Sequence, residues 1–176
     1  MSEITLKTIS AEDNFDDVMD LAERARDYVI FEIGHAPDEE YVRQFFEATP
    51  PDLGPECLIH FAVMEGDAIA GIICIADGYE FPEDWWLGLV LLDPAYRGRG
   101  IGKKAIDQTK ARAAAAGRQA LKLAVLDANI RGKMFWAREG FDLHRLAPAT
   151  PDSDGHNRLV LSCRVDTGEF DHATDR

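Results

Sequence analysis

The stretch of sequence that decides the fold is Leu91-Leu92-Asp93-Pro94-Ala95-Tyr96-Arg97-Gly98-Arg99-Gly100-Ile101-Gly102. It begins at the end of an apolar run at 85–92 that predicts a strand. It leads into a helix predicted at 100–116 and capped by Gly117. The first N–H groups of a helix have no intrahelical partner and attract phosphate. The glycines let the main chain approach an anion without Cβ clashes. The stretch therefore predicts a phosphate-binding loop, and the alternative is a tight turn beside a solvated, basic helix start.

The charge distribution supports an anion site in this region. The chain has a net charge of −13, so most of its surface should repel nucleic acids and anionic membranes, and neither is an expected partner. The exception is a basic island that contains a single acid, Asp107. Its members are Arg97, Arg99, Lys103, Lys104, Lys110 and Arg112. A basic island on an acidic protein predicts a site for a small anion.

Two other phosphate-binding motifs do not match. A dinucleotide fingerprint needs G-x-G-x-x-G directly after the strand, whereas the spacing here is G-x-G-x-G and residues 93–96 intervene. A P-loop needs four residues between its glycines and then Lys-Ser/Thr. Gly98 and Gly102 enclose three residues, and Lys104 stands where the hydroxyl should be.

The remaining sequence predicts one α/β domain at 1–165, followed by a polar tail at 166–176. The predicted strands are 4–9, two within 58–78 around the turn Glu65-Gly66-Asp67, 85–92, 120–126, 141–146 and 158–165, and the predicted helices are 11–28, 37–48, 100–116 and 130–139. Residues 30–36 are expected to form a loop. The order β-α-α-β-β-β-α-β-α-β-β predicts a mixed α+β sheet with helices on both faces.

The expected compartment is the cytoplasm. No apolar run is long enough to cross a bilayer, and the N-terminus lacks a secretory signal. Cys57, Cys74 and Cys163 are odd in number, far apart and set among apolar residues, which is typical of buried thiols in a reducing compartment. No metal site is expected.

The stretch at 91–102 resembles the acetyl-CoA signature Arg/Gln-x-x-Gly-x-Gly/Ala of the GNAT superfamily of N-acetyltransferases. A second block, Asn129 followed by Phe135-Trp136-Ala137-Arg138-Glu139-Gly140-Phe141, looks like the family's Asn-containing turn and the end of its fourth helix. The resemblance implies a GNAT-like three-layer fold. It also implies transfer of the acetyl group of acetyl-CoA directly to a primary amine of a small molecule or peptide. The alternative is a non-catalytic acyl-CoA-binding sensor or regulatory module on the same fold.

The resemblance also implies where acetyl-CoA binds. In the family, the pantetheine arm pairs with the backbone at a bulge in the fourth strand, and an N–H there, matched by Leu92, stabilises the oxyanion. The implied cofactor-binding residues are Val90, Leu91, Leu92, Arg97, Gly98, Arg99, Gly100, Ile101, Gly102, Lys103, Asn129 and Trp136. Asn129 also reads as a helix N-cap before Ile130, and the two roles are compatible.

The proton-transfer groups depart from the family pattern. The family often places a Glu within the fourth strand as general base, but residues 85–89 contain no carboxylate. Glu83 and Asp84, just before the strand, are the candidate bases, although a solvated loop carboxylate is the favoured interpretation of each. Trp136 stands where many members have a Tyr as general acid, and an indole N–H cannot give up a proton. Water, or a donor such as Tyr28, would then protonate the CoA sulfur.

The acceptor-selecting regions of the family correspond to segments rich in acids and aromatics. They supply Phe31, Glu32, Trp85 and Trp86 as candidate substrate-binding residues. Charge and cation–π attraction then favour a cationic amine as the acceptor. The other expected partner is a second copy of the chain in a homodimer.

Overall fold

A mixed sheet runs through the computed structural model, which describes residues 3–150 and 155–165; the predicted tail at 166–176 lies outside them. The strands are β1 (Ile4–Thr8), β2 (Leu58–Glu65), β3 (Ala68–Asp77), β4 (Asp84–Leu92), β5 (Ala120–Leu126), β6 (Asp142–Ala147) and β7 (Arg158–Arg164). The helices are α1 (Ala11–Arg24), α2 (Arg26–Ile33), α3 (Glu39–Glu47), α4 (Ile101–Ala115) and α5 (Ile130–Arg138). The strand order is β1-β2-β3-β4-β5-β7-β6. Strands β4 and β5 are parallel, and the other neighbouring pairs are antiparallel.

The helices cover both faces of the sheet, and each face has its own apolar core. Neighbouring residues of β3 show the division, because successive side chains of a strand point to opposite faces. Ile73 packs in the core that includes Ile106 of α4, whereas Ile72 packs in the core that includes Leu21 of α1 and Phe45 of α3. The predicted fold class, a mixed sheet between two helical layers, is confirmed.

The first helical region differs from the prediction. The predicted helix 11–28 is two helices that meet at Ala25, whose φ of −96° and ψ of 22° depart from helical values. The second helix continues to Ile33 and ends at Gly34 in the left-handed conformation, so the predicted loop at 30–36 is wrong over its first half. No glycine or proline occurs at 11–33 to mark the break, and Ala25 is fully buried at the junction. The break between α1 and α2 therefore comes from packing.

The other elements begin and end within two residues of their predicted positions. Helix α3 starts later than predicted because Asp38 is its N-cap, where the carboxylate accepts a hydrogen bond from the N–H of Tyr41 at 2.9 Å. None of the helices in the described part of the chain has both the length and the apolar composition that a bilayer crossing requires.

Candidate active site

Strands β4 and β5 pair at one end and separate at the other. Residues 84–87 lie beside residues 120–123, and the pairing stops there although both strands continue. The separated part of β4 begins with a β-bulge, in which Gly88 is an extra residue opposite the junction of Cys74 and Ile75 in β3. The two parallel strands therefore enclose a gap at their carboxyl ends.

The bulge shifts which side chains of β4 face which core. Val90 and Leu92 pack on the same face as Leu87, whereas Leu89 and Leu91 pack on the opposite face. Without the extra residue, strict alternation would place Leu89 and Leu91 beside Leu87. The predicted bulge in the fourth strand is thus present, and it lies immediately before the residues predicted to hold the pantetheine arm.

Main-chain groups of β4 point into the gap. The N–H of Asp93 donates to the carbonyl of Ala70 on the β3 side at 3.0 Å. Because the polar groups of successive residues point to alternate edges of a strand, those of Leu92 and Val90 lie on the edge away from β3. The carbonyl of Leu92 accepts a hydrogen bond from Nε of Arg97 at 3.0 Å, which agrees with this orientation. The N–H groups of Val90 and Leu92 are therefore placed to pair with an extended ligand.

A cleft of about 1080 Å³ occupies the gap. It is lined by main chain and side chains of β4 and β5, by the glycine-rich loop, by α5 and by α2. Of the residues predicted for the site, it brings together Val90, Leu91, Leu92, Arg97, Gly98, Gly100, Gly102, Lys103, Asn129, Trp136, Phe31 and Glu32.

The glycine-rich loop, which is the predicted anion cradle, lines part of the cleft. Gly98 and Gly100 have φ of +72° and +77°, in the left-handed region that side-chain-bearing residues rarely adopt. The first intrahelical bond of α4 runs from the N–H of Lys104 to the carbonyl of Gly100 at 3.2 Å, so the N–H groups of residues 100–103 precede the helical ladder. A Cβ on Gly98 or Gly100 would meet nothing within 4 Å. The open side of the loop therefore leaves room for an anionic group to approach the main chain.

Gly102 has a different role from the other two glycines. A Cβ at this position would lie 3.2 Å from Cδ1 of Leu92 and 3.3 Å from the ring of Phe135. The absence of a side chain lets the first turn of α4 pack closely on β4 and α5. This glycine sets the distance between the cradle and the free edge of β4.

Three members of the basic island are paired with carboxylates. Arg97 donates two hydrogen bonds to Asp27 of α2, at 2.5 and 3.0 Å, and this contact lowers the pKa of Asp27. Arg99 binds both carboxylate oxygens of Glu65 at 2.8 and 3.0 Å. A hydrogen bond to Asp107 at 2.8 Å raises the pKa of Lys103. The predicted anion site therefore depends chiefly on main-chain N–H groups, because these three side-chain charges are already paired.

Asn129 is the N-cap of α5, Trp136 lies within that helix, and both line the cleft. The side-chain oxygen of Asn129 accepts a hydrogen bond from the N–H of Gly132 at 2.8 Å, so the N-cap interpretation holds while the residue also lines the cleft. Trp136 is buried and makes edge-to-face contacts with Phe135 and Phe141. Its surroundings are those of a packing residue at the cleft wall.

One wall of the cleft is formed by α2. Asp27, Tyr28, Phe31 and Glu32 line it, and we call these residues the α2 wall. Burial, followed by the charge of Glu32, raises the pKa of Tyr28 well above its ordinary value, so the phenol stays protonated. The hydroxyl of Tyr41, behind the wall on α3, donates to Glu32 at 3.5 Å.

Six residues predicted for the site lie outside the residues that line the cleft. They are Glu83, Asp84, Trp85, Trp86, Arg99 and Ile101. Asp84 and Trp85 are buried at the paired end of β4, where Asp84 forms an ion pair with Lys122 at 2.7 Å. Trp86 packs edge-to-face on Tyr79, and Ile101 is part of the core under α4.

The two candidate bases, Glu83 and Asp84, therefore lie away from the cleft and not beside it as the sequence predicted. Glu83 is exposed, and its carbonyl accepts a hydrogen bond from the N–H of Gln119 at 2.8 Å. Asp84 begins the four paired residues of β4 and Glu83 precedes them, whereas the cleft begins at Leu87. Position along the sequence before the fourth strand does not indicate proximity to the gap, because the gap opens at the other end of that strand.

Several residues that line the cleft were not predicted as site residues from the sequence. They include Asp27, Arg131, Met134, Phe135, Arg138 and Glu139. Asp27 precedes Phe31 by four residues and shares a helical face with it. This spacing was missed because the helix was predicted to end at residue 28. In the described residues no three His, Cys, Asp or Glu side chains are grouped so that they could hold a metal ion.

Solved structures resemble this fold over nearly the whole chain. An acetyltransferase from Thermus thermophilus has a TM-score of 0.72 at 22% sequence identity, covering 93% of this chain and 99% of its own. The ribosomal-protein-S18-alanine N-acetyltransferase from Escherichia coli has a TM-score of 0.70 at 15% identity, covering 96% of this chain and 98% of its own. At these identities the likeness shows the fold alone. No curated protein matches the chain.

The sequence itself matches a family model. That model, described as the acetyltransferase (GNAT) family, covers residues 16–141, more than half of the chain. The matched region contains the bulged strand, the glycine-rich loop, Asn129 and the α2 wall. The match confirms the family predicted from the two sequence blocks: this chain belongs to the GNAT family of acetyltransferases.

Proposed function

We propose that this chain transfers the acetyl group of acetyl-CoA directly to a primary amine of a small molecule or peptide. One observation carries the proposal: the free main-chain edge of β4 and the helix start with left-handed glycines open onto the same cleft. An extended arm ending in a diphosphate needs both an unpaired strand edge and an anion cradle. The cleft supplies the two together.

The residues of the cleft divide the work of binding. The N–H groups of residues 100–103 would hold the diphosphate, with the partial positive charge at the start of α4 behind them. The N–H groups of Val90 and Leu92 would pair with the pantetheine arm and fix its register. Acetyl-CoA, when bound, supplies an acetyl group activated as a thioester. The N–H of Leu92 would donate a hydrogen bond where negative charge develops on the acyl oxygen.

The acceptor amine must be neutral when it attacks. Its lone pair forms the new N–C bond, the C–S bond breaks, and the sulfur leaves as a thiolate. The nitrogen loses one proton to complete the amide, and the thiolate gains one to become a thiol. Trp136 cannot supply that proton, since an indole N–H is not an acid near neutral pH. Water reaching the open cleft is the proposed proton carrier, because a thiol is a fair leaving group near neutral pH.

A thiol-release assay tests the proposal. Purified protein is incubated with acetyl-CoA and a panel of amines that includes peptides, amino acids, polyamines and aminoglycosides, and free thiol is followed with a chromogenic disulfide. The expected result is amine-dependent thiol release, with acetylated amine identified by mass spectrometry. The proposal would be contradicted if the protein bound acetyl-CoA but released thiol with none of the amines in the panel.

A non-catalytic acyl-CoA sensor on the same fold is the second candidate. Two observations favour it: β4 places no carboxylate in the cleft, and Trp136 occupies the position of the family's general acid. A sensor gives a stoichiometric thermal shift with acetyl-CoA and no turnover with any amine, so the same assay separates the two functions. The cytoplasmic location and the homodimer stay predictions, and sedimentation velocity measures the second.

A further inference from the structure

The α2 wall and the free edge of β4 line the same cleft, so an acceptor that reaches the thioester enters a space that α2 also borders. The wall carries the rings of Tyr28 and Phe31, whose centroids are 6.3 Å apart, and two carboxylates. Phe31 is 44% exposed, which is high for a phenylalanine on a helix packed against a core. A carboxylate beside aromatic rings is the surrounding that an organic cation prefers.

Two carboxylates that line the cleft are engaged by cations of the basic island. Asp27 is held by two hydrogen bonds from Arg97. Glu139 is buried and lies 3.9 Å from Nζ of Lys103, while its carbonyl accepts a hydrogen bond from Lys110. The charges of both acids are therefore directed at the cations beside the diphosphate cradle.

Glu32 also lines the cleft, and it lies among aromatic groups. It accepts a hydrogen bond from the neutral hydroxyl of Tyr41 at 3.5 Å. Burial, and after it the charge of Glu32, raises the pKa of Tyr28 and of Tyr41, so both phenols stay protonated. The charge of Arg158 on β7 also reaches Tyr28 and acts in the opposite direction. The half-buried carboxylate of Glu32 therefore lies beside the tyrosines of the α2 wall and of α3.

The chemistry of amide formation means that a nitrogen that stays charged beside Glu32 is not the nitrogen that forms the amide. An amine that attacks a thioester must be neutral, so an ammonium ion that stays bound to a carboxylate cannot be the nucleophile. A cation that stays paired with Glu32 throughout the reaction is therefore a second group of the same acceptor molecule. The cleft then selects a molecule with one nitrogen that reacts at β4 and one that remains charged at α2.

We propose that Glu32 and the rings of Tyr28 and Phe31 form a subsite for a second, non-reacting cationic group, and that the acceptors of this enzyme are amines with two basic groups. This inference rests on the proposed acetyl transfer. It assigns Glu32 as a specificity-determining residue, because its charge acts on the distal group of the substrate.

The test compares diamines from 1,3-diaminopropane to 1,6-diaminohexane with the monoamines of equal chain length. In the wild-type enzyme, kcat/KM for the best diamine should exceed that of its monoamine roughly tenfold, the effect of one charged hydrogen bond. In Glu32→Gln the ratio should fall towards one. In Glu32→Lys it should reverse, and the ω-amino acid of the same length should become the better substrate. A ratio of kcat/KM values does not depend on the fraction of active enzyme, so partial misfolding of a variant cannot imitate the result.

Glu47→Gln is the matched control, since Glu47 is exposed at the end of α3 and does not line the cleft. Its diamine-to-monoamine ratio should equal that of the wild type. Thiol release with an unchanged ratio in Glu32→Gln would overturn this proposal while leaving acetyl transfer intact. If the wild-type enzyme binds acetyl-CoA but none of the amines causes thiol release, the proposed function is overturned, and this inference with it.

Discussion

Arg97 of the glycine-rich loop and Asp27 of α2 form a two-point ion pair, with N–O distances of 2.5 and 3.0 Å. The two residues are 70 positions apart in the sequence, and both line the cleft. Nε of the same arginine donates to the carbonyl of Leu92. One guanidinium therefore connects the glycine-rich loop, the end of β4 and the α2 wall.

Asp27→Asn is expected to raise the affinity for acetyl-CoA about threefold, because it removes a negative charge beside the site of an anionic ligand. Stability should change by less than about 1 kcal/mol, since the pair is largely exposed. Isothermal titration calorimetry at low and high salt measures the effect, which should shrink as salt screens the charges. Glu65→Gln, which breaks the corresponding pair of Arg99 outside the cleft, is the control, and an equal gain in that variant would contradict the argument.

Gly100→Val should weaken acetyl-CoA binding by about tenfold or more, because a side chain in the left-handed conformation strains the cradle and covers its N–H groups. The control is Gly117→Val at the other end of the same helix. Its φ is +73°, and an added Cβ there also meets nothing within 4 Å. Both variants should lose roughly 1–2 kcal/mol of stability, and only the first should lose affinity in a calorimetric titration. Equal affinities in the two variants would remove the cradle from the binding site.

Trp136→Phe should keep kcat in the thiol-release assay within about threefold of the wild-type value. Loss of a general acid typically costs about 10²–10⁴ in rate, and an indole cannot have that role. The aromatic packing against Phe135 and Phe141 is retained in part by the smaller ring. A hundredfold loss of kcat with unchanged affinity for acetyl-CoA would show that the indole N–H takes part in the chemistry.

Lys122→Met should destabilise the fold by about 3–5 kcal/mol, because it leaves the carboxylate of Asp84 buried without its cation. Each side chain of this ion pair is 7% exposed. The double variant Asp84→Leu/Lys122→Met should recover most of the loss in urea unfolding. Asp84→Asn should turn over at the wild-type rate per folded molecule, since Asp84 does not line the cleft. A selective loss of kcat in that variant would restore Asp84 as a candidate base.

His60 should make the protein less stable as the solution becomes acidic. Burial lowers the pKa of this imidazole, and Nε2 lies 2.9 Å from the carbonyl of Phe45, to which the neutral ring can donate. The unfolded chain takes up a proton near pH 6.5, and the folded chain does so only at lower pH. The stability is therefore complete above about pH 6.5 and declines as pH falls through that value.

Thermal unfolding between pH 7.5 and 5.5 measures this dependence. The decline in Tm should be smaller in His60→Gln, whereas His35→Gln, at an exposed position, should retain the wild-type slope. Parallel curves for the wild type and His60→Gln would show that other groups cause the pH dependence.

The sequence by itself determined the elements and the cradle. Strand and helix periodicity depends on residues close together in the chain, so the strands, α3 to α5 and the loop at 91–102 could be predicted nearly to the residue. The left-handed conformations of Gly98 and Gly100 follow from the same local chemistry, since glycine adopts them without steric cost. Only the tertiary structure decided which side chains meet at the cleft.

The bulge at Gly88 and the separation of β4 from β5 depend on pairing between strands that are distant in the sequence. This pairing places Asp84 and Trp85 in the core, at the closed end of the gap. The break at Ala25 comes from burial against other elements, and it brought Asp27 and Glu32 of α2 to the cleft. Local propensity fixes the conformation of a segment, whereas the neighbours of a side chain depend on how distant segments pack together.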